Sequence, residues 1–243
     1  MAKGLKDPKE IFPDIIADYK DAFSDDLISI VLYGSATGRD YQPGKSDINF
    51  MIVLSEDGIK NLDRAFTVVK KWRKKNVAIP LFLTGKYIET SMDVFPVEYL
   101  NFQRNHMPVY GKDILEELSF DPEFVRLQCE REIKGKLLLL RQAFLETYGR
   151  GKALKEVIGQ SIQAFIAIFN ALLYLKGREI PEEKREIISS TALAFDLNSD
   201  LFSRLIDIRE GKFKPGDIEI GKLFKGYLSE VRKLSKLVDT LGE

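Results

Sequence analysis

The sequence predicts an α+β protein, with a mixed β-sheet and flanking helices over residues 1–118 and a helical bundle over residues 119–243. Three observations carry this. In the first half, short runs rich in β-branched residues alternate with stretches whose apolar residues recur at helical spacing. Beyond about Phe120 the spacing is helical throughout, punctuated by Gly149, Gly151, Gly177, Pro181, Gly211, Pro215 and Gly216. Between two strand-like runs of the first half lies a polar, glycine-bearing loop, residues 35–46.

Residues 8–23 space Ile11, Ile15, Ile16, Tyr19 and Phe23 as one face of a helix, with Asp7 as N-cap and Pro8 in the first turn. Residues 27–33, Leu-Ile-Ser-Ile-Val-Leu-Tyr, are apolar, too short for a stable helix and stopped by Gly34, so they read as a buried strand. Residues 48–54 read as a second strand, 58–75 as an amphipathic helix, and 77–84 as a third strand that Pro80 confines to a sheet edge or a strand start. Residues 87–94 predict a short helix. Residues 95–102 predict another strand, with Val97, Tyr99 and Asn101 alternating against Glu98 and Leu100. His106 and the following Met-Pro-Val-Tyr-Gly read as loop, and 113–118 as a last short helix. The second half predicts five helices, over about 122–148, 153–176, 181–195, 200–210 and 217–241, each with the apolar stripe that a bundle needs. The segment 162–175 is apolar nearly all round and reads as the central helix, a part of which can also face a partner subunit, so a homo-oligomer stays open.

Composition narrows the function classes. Lys plus Arg number 37 and Asp plus Glu 37, a balance that argues against broad nucleic-acid binding. The apolar run 162–175 is shorter than the roughly 20 residues that cross a bilayer, which argues against a membrane partner. One cysteine, Cys129, cannot form an internal disulfide, and the first residues carry no export signal; the expectation is a cytoplasmic protein. With one Cys and one His, a zinc site of the usual kind is nearly excluded, and a Ser/His/Asp triad would need His106. The run Lys70-Lys-Trp-Arg-Lys-Lys75 reads as the last turn of a helix, where cations complement the dipole; nucleic-acid contact is the alternative.

The chemistry concentrates between Val31 and Leu54. A strand ends in Gly34-Ser35, where exposed N–H groups and the missing side chain suit phosphate oxygens. The loop carries Gly38, Arg39, Gly44 and Lys45, and its two cations can face a triphosphate. The next strand opens with Ser46-Asp47-Ile48-Asn49; residues two apart share a face, so Asp47 and Asn49 project toward one point, and two side-chain oxygens there suit magnesium.

This Gly-Ser, Gly-Arg, Ser-Asp-x-x-hydrophobic order resembles the signature of the nucleotidyltransferase superfamily typified by DNA polymerase beta, most of all its minimal and aminoglycoside nucleotidyltransferases. The resemblance implies that Gly34 and Ser35 hold a nucleoside triphosphate, ATP by preference, with Arg39 and Lys45 beside it. It implies that Asp47 and Asn49 are metal positions for magnesium, and that a nucleoside monophosphate passes to an acceptor hydroxyl on an unknown small molecule or protein. The match is incomplete. Asn49 stands where the family has a second aspartate, and the strand 77–84, where a third carboxylate belongs, contains no acid. Glu98, on the strand read over 95–102, is the substitute candidate for ligand or base, beside Asp47 as the other catalytic acid. The missing acids leave an alternative open: a non-catalytic nucleotide-binding or protein-interaction member of the same fold.

Overall fold

The structure is a computed structural model that describes residues 5–39 and 41–242. The first residues, read above for an export signal, lie partly outside that range. The chain divides into two compact units, residues 1–120 and 121–243.

In the first unit, Asp7 Oδ1 accepts the Lys9 N–H at 2.9 Å and starts a 3-10 turn that leads into α1 (Phe12–Phe23). Pro13 in the first turn of α1 costs no hydrogen bond, because that N–H has no helical acceptor. Next come β1 (Leu27–Tyr33), β2 (Asn49–Leu54), α2 (Phe66–Arg73), β3 (Leu81–Thr84), α3 (Gly85–Thr90), α4 (Pro96–Arg104) and β4 (His106–Gly111). The sheet order is β3-β2-β1-β4; β1 runs antiparallel to both neighbours and β3 parallel to β2, so the sheet is mixed.

Both faces of the sheet are covered. Ile30, Leu32, Phe50 and Ile52 pack with Ile15, Tyr19 and Phe23 of α1 and Trp72 of α2, and all of these are at most 1% exposed. On the opposite face Val31, Met51 and Val53 are equally buried. With both faces dry, β1 and β2 read as continuous apolar runs rather than alternating ones. Trp72 carries a polar atom into this core, and Asp18 Oδ2 accepts its indole N–H at 2.8 Å.

Four expectations need correction here. Residues 95–102 are not a strand: Pro96 opens α4, and Val97 and Leu100, three apart, are buried together while Glu98 is exposed. The apparent alternation at Val97, Tyr99 and Asn101 coincided with a helical stripe; Asn101 Nδ2 donates to the Val97 carbonyl one turn back, at 2.7 Å. Residues 106–111, read as loop on account of Pro108, form the edge strand β4, and an edge tolerates a proline. Residues 113–118 are not helical. They form a turn in which Asp113 Oδ1 accepts the N–H groups of Leu115 and Glu116 at 3.1 and 3.3 Å. The expected helix 58–75 is a 3-10 stretch, Gly58–Ala65, broken at Asn61 (φ −119°, ψ 43°) before α2 begins. Pro80 does what its ring requires: β3 starts after it and lies at the edge, with only an isolated bridge from Val77 to Ile48 before it.

The second unit is helical: α5 (Pro122–Glu146), α6 (Gly151–Leu175), α7 (Lys184–Ala194), α8 (Ser199–Arg209) and α9 (Asp217–Asp239). Side-chain caps start two of them, Asp121 accepting from Glu123 N–H at 2.8 Å and Asn198 from Leu201 N–H at 2.9 Å. The helix α6 packs against all four others and buries Phe165, Phe169 and Leu172. It is longer than the apolar run suggested. By length and composition it could cross a membrane, but 56% of its most apolar window is buried inside the unit, as befits a core helix.

Candidate functional site

The strand β1 ends at Tyr33, which pairs with Asn49 of β2 on one side and His106 of β4 on the other. Directly paired residues of antiparallel strands present their side chains to the same face, so Asn49, Tyr33 and His106 form one row across the end of the sheet. The chain then turns sharply. Gly34 takes φ +79°, a left-handed conformation that only glycine adopts without strain, and residues Gly34–Thr37 close a single 3-10 turn. The Gly34 N–H donates to the Asn105 carbonyl at 2.9 Å, and Thr37 Oγ1 donates to the Gly34 carbonyl at 2.8 Å, which fixes the corner at both ends.

Asn49 faces that corner. A methyl group placed on Gly34 would lie 3.6 Å from Asn49 Nδ2, in ordinary van der Waals contact. Asp47 lies two residues before β2, in the irregular segment that leads into it. It is exposed, as are Arg39 and Lys45, and among the described residues none of the three makes an ion pair. The loop that delivers Asp47 is tied down. Gln42 N–H donates to Ser46 Oγ at 3.0 Å, Asn76 Nδ2 donates to the Ser46 carbonyl at 2.9 Å, and Ile48 N–H donates to the Asn76 carbonyl at 3.1 Å. The corner therefore brings Asn49 against the turn that holds Gly34 and half-buried Ser35. Next to it Tyr33 stacks edge-on against Phe102 at 4.8 Å, and burial raises its phenol above the ordinary value.

The third acid is absent from its expected strand. Residues 76–84, which follow the Ile48–Val77 bridge and include β3, carry no carboxylate. Glu98, placed on α4, loses the neighbouring-strand position on which its role as ligand or base rested. Among the described residues no three of His, Cys, Asp and Glu gather as a metal site. Asp47 and Asn49 thus offer one charged and one neutral oxygen, and this donor set does not fit a resident magnesium pair.

Sequence reasoning missed one feature beside the corner. His106 Nε2 lies 2.9 Å from Asp113 Oδ2, and its Nδ1 lies 2.7 Å from the Gln103 carbonyl oxygen. The ring thus faces acceptors on both sides. Burial alone would raise the Asp113 carboxyl, but the His106 contact and the Leu115 and Glu116 N–H groups outweigh it and hold Asp113 below the usual range. The pair staples β4 to the turn after it. Its members are seven positions apart and a false helix start hid Asp113, so no spacing signal announced it.

The backbone agrees with a known architecture. It matches the crystal structure of a spectinomycin adenyltransferase from Enterococcus faecialis, solved with ATP and spectinomycin, with a TM-score of 0.50 over 90% of this chain and 99% of that one, at 12% identity. The chain has a nucleotidyltransferase fold. The resemblance read from residues 31–54 therefore holds at the level of the α+β architecture, mixed sheet first and helices after. No protein-family model matches the sequence, and no curated protein does. The nucleotidyltransferase fold alone does not assign chemistry, which has to be argued from the corner itself.

Proposed function

We propose that this chain is a nucleotidyltransferase-like protein that seats the triphosphate of ATP on the Gly34–Ser35 turn and passes AMP to a hydroxyl of a small-molecule acceptor. The observation that carries the reading is the approach of Asn49 to Gly34, 3.6 Å from where a side chain would begin, at the end of the β1–β2 pair, with Asp47 two residues before β2 in the chain. The nucleotide and small molecule bound by the spectinomycin adenyltransferase support it as analogy. Arg39 and Lys45, exposed on the loop, supply positive charge for the phosphates. In the transfer, the acceptor oxygen bonds the α-phosphorus, the bond from that phosphorus to the bridging oxygen breaks, and pyrophosphate leaves with the electron pair. Asp47 is the carboxylate of the corner that can take the hydroxyl proton. Glu98, displaced to α4, is not part of the proposal. A reducing cytoplasm suits the single buried thiol, Cys129.

The missing acids favour a second reading, in which the corner binds nucleotide without turning it over. One experiment tests both. Calorimetry with ATP and magnesium should give binding that Asp47→Ala weakens, and labelled ATP with hydroxyl-bearing acceptors should release pyrophosphate. Binding without pyrophosphate leaves the second reading; no binding at millimolar ATP removes both.

A further inference from the structure

The basic run Lys70-Lys-Trp-Arg-Lys-Lys75 divides once it is folded. On one side Lys71 is tied to Asp18 at 2.6 Å and Lys75 lies over the Trp72 ring at 4.8 Å, so these two cations belong to the core's edge. On the other side Phe66, Val69, Lys70 and Arg73 follow the helical i, i+3, i+4, i+7 stripe. That stripe walls an open groove of about 730 Å³, completed by Leu62, Ile79 and Phe82. Its apolar floor is exposed far beyond what a finished core leaves: Phe66 is 72% and Ile79 62% exposed. Lys70, Arg73 and Lys74 rim it, and among the described residues none of the three makes an ion pair. The groove runs beside β3, one of the sheet's two edge strands, whose first residue Leu81 is also exposed.

We infer that this groove docks an acidic, extended segment of a partner protein whose aliphatic or aromatic side chains fill the floor between α2 and β3 while its carboxylates meet Lys70, Arg73 and Lys74. Three features select that partner. The floor demands apolar anchors, the rim demands negative charge, and the edge strand offers backbone hydrogen bonds to an added strand. Single-stranded nucleic acid fits less well, because the space beside the cations is aliphatic and only Phe66 presents an exposed ring for stacking.

The test uses the full chain and a short dye-labelled peptide in which Asp and Glu alternate with Leu and Phe. The control peptide carries Lys in place of the acids. Fluorescence anisotropy should show the acidic peptide binding and the basic one not. The double variant Lys70→Glu, Lys74→Glu should weaken binding by roughly tenfold or more. Phe66→Ser should weaken it comparably; both variants alter exposed positions, and unchanged circular dichroism confirms that they fold. Asp47→Ala should leave peptide binding as it is, which separates this surface from the nucleotide corner. Equal binding of the two peptides, indifference to the charge reversal, loss of binding in Asp47→Ala, or tighter binding of a single-stranded oligonucleotide than of the acidic peptide would each overturn the inference.

Discussion

Two glycines with nearly the same backbone angle provide a controlled pair. Gly34 has φ +79° and Gly111 φ +77°, so replacing either by alanine costs the same left-handed strain, about 1–2 kcal/mol. Removing glycine's freedom from the unfolded chain returns about 0.4–1 kcal/mol in both cases. The space around them differs. At Gly34 the new methyl meets Asn49 Nδ2 at 3.6 Å, an ordinary contact, so Gly34→Ala should cost only about 1 kcal/mol. At Gly111 it would lie 2.0 Å from the Ile28 carbonyl oxygen, a backbone atom of β1, which must move and take the β1–β4 pairing with it. Gly111→Ala should therefore cost more than about 3 kcal/mol. Trp72, the single tryptophan, is buried in the first unit, so its fluorescence during urea unfolding reports that unit by itself. The methyl on Gly34 also occupies the corner, so ATP affinity should fall by about tenfold, or 1.4 kcal/mol, while the fold survives. Equal costs at the two positions, or a loss above about 3 kcal/mol at Gly34, would refute the geometry assigned to the turn.

Asp18→Ala strips the buried Trp72 indole N–H of its acceptor and should destabilise the first unit by about 1–3 kcal/mol in the same urea assay, more than Lys71→Ala, which removes only a half-exposed ion-pair partner. The folded Asp113 carboxyl titrates below its unfolded value, so the stability it contributes is present above the ordinary carboxylate range and lost as pH falls through the folded value. Asp113→Asn should accordingly flatten the acid side of the first unit's stability-against-pH curve. Asn49→Asp adds the second charge beside Asp47; calorimetry should register magnesium binding at least about tenfold tighter than in the parent chain, a gain of about 1.4 kcal/mol.

The strands β1 and β2 and the helices of the second unit were legible because burial on both sheet faces, or on one long stripe, writes a simple pattern into the sequence. The turn at Gly34 was legible too, since a glycine that ends an apolar strand is a local feature. What escaped was decided at a distance. The segment over Pro96 to Phe102 satisfies a period of two and a helical period at once, and only its packing chose the helix. Strand β4 hid because Pro108 signals a loop unless the strand is known to be an edge, which depends on a pairing with β1 from residues far earlier. The staple between His106 and Asp113 followed from the same missing strand. Likewise, the basic run looked like one helix end until the fold committed Lys71 and Lys75 to the core's edge and left Lys70, Arg73 and Lys74 outside.

The proposed transfer requires a triphosphate to settle against the turn after β1. Amide hydrogen exchange with and without ATP addresses this residue by residue: added nucleotide should slow exchange at residues 35–38 and 45–49 and leave residues 62–82 unchanged. Identical exchange in the two conditions, or slowing confined to segments outside that corner, would contradict the account.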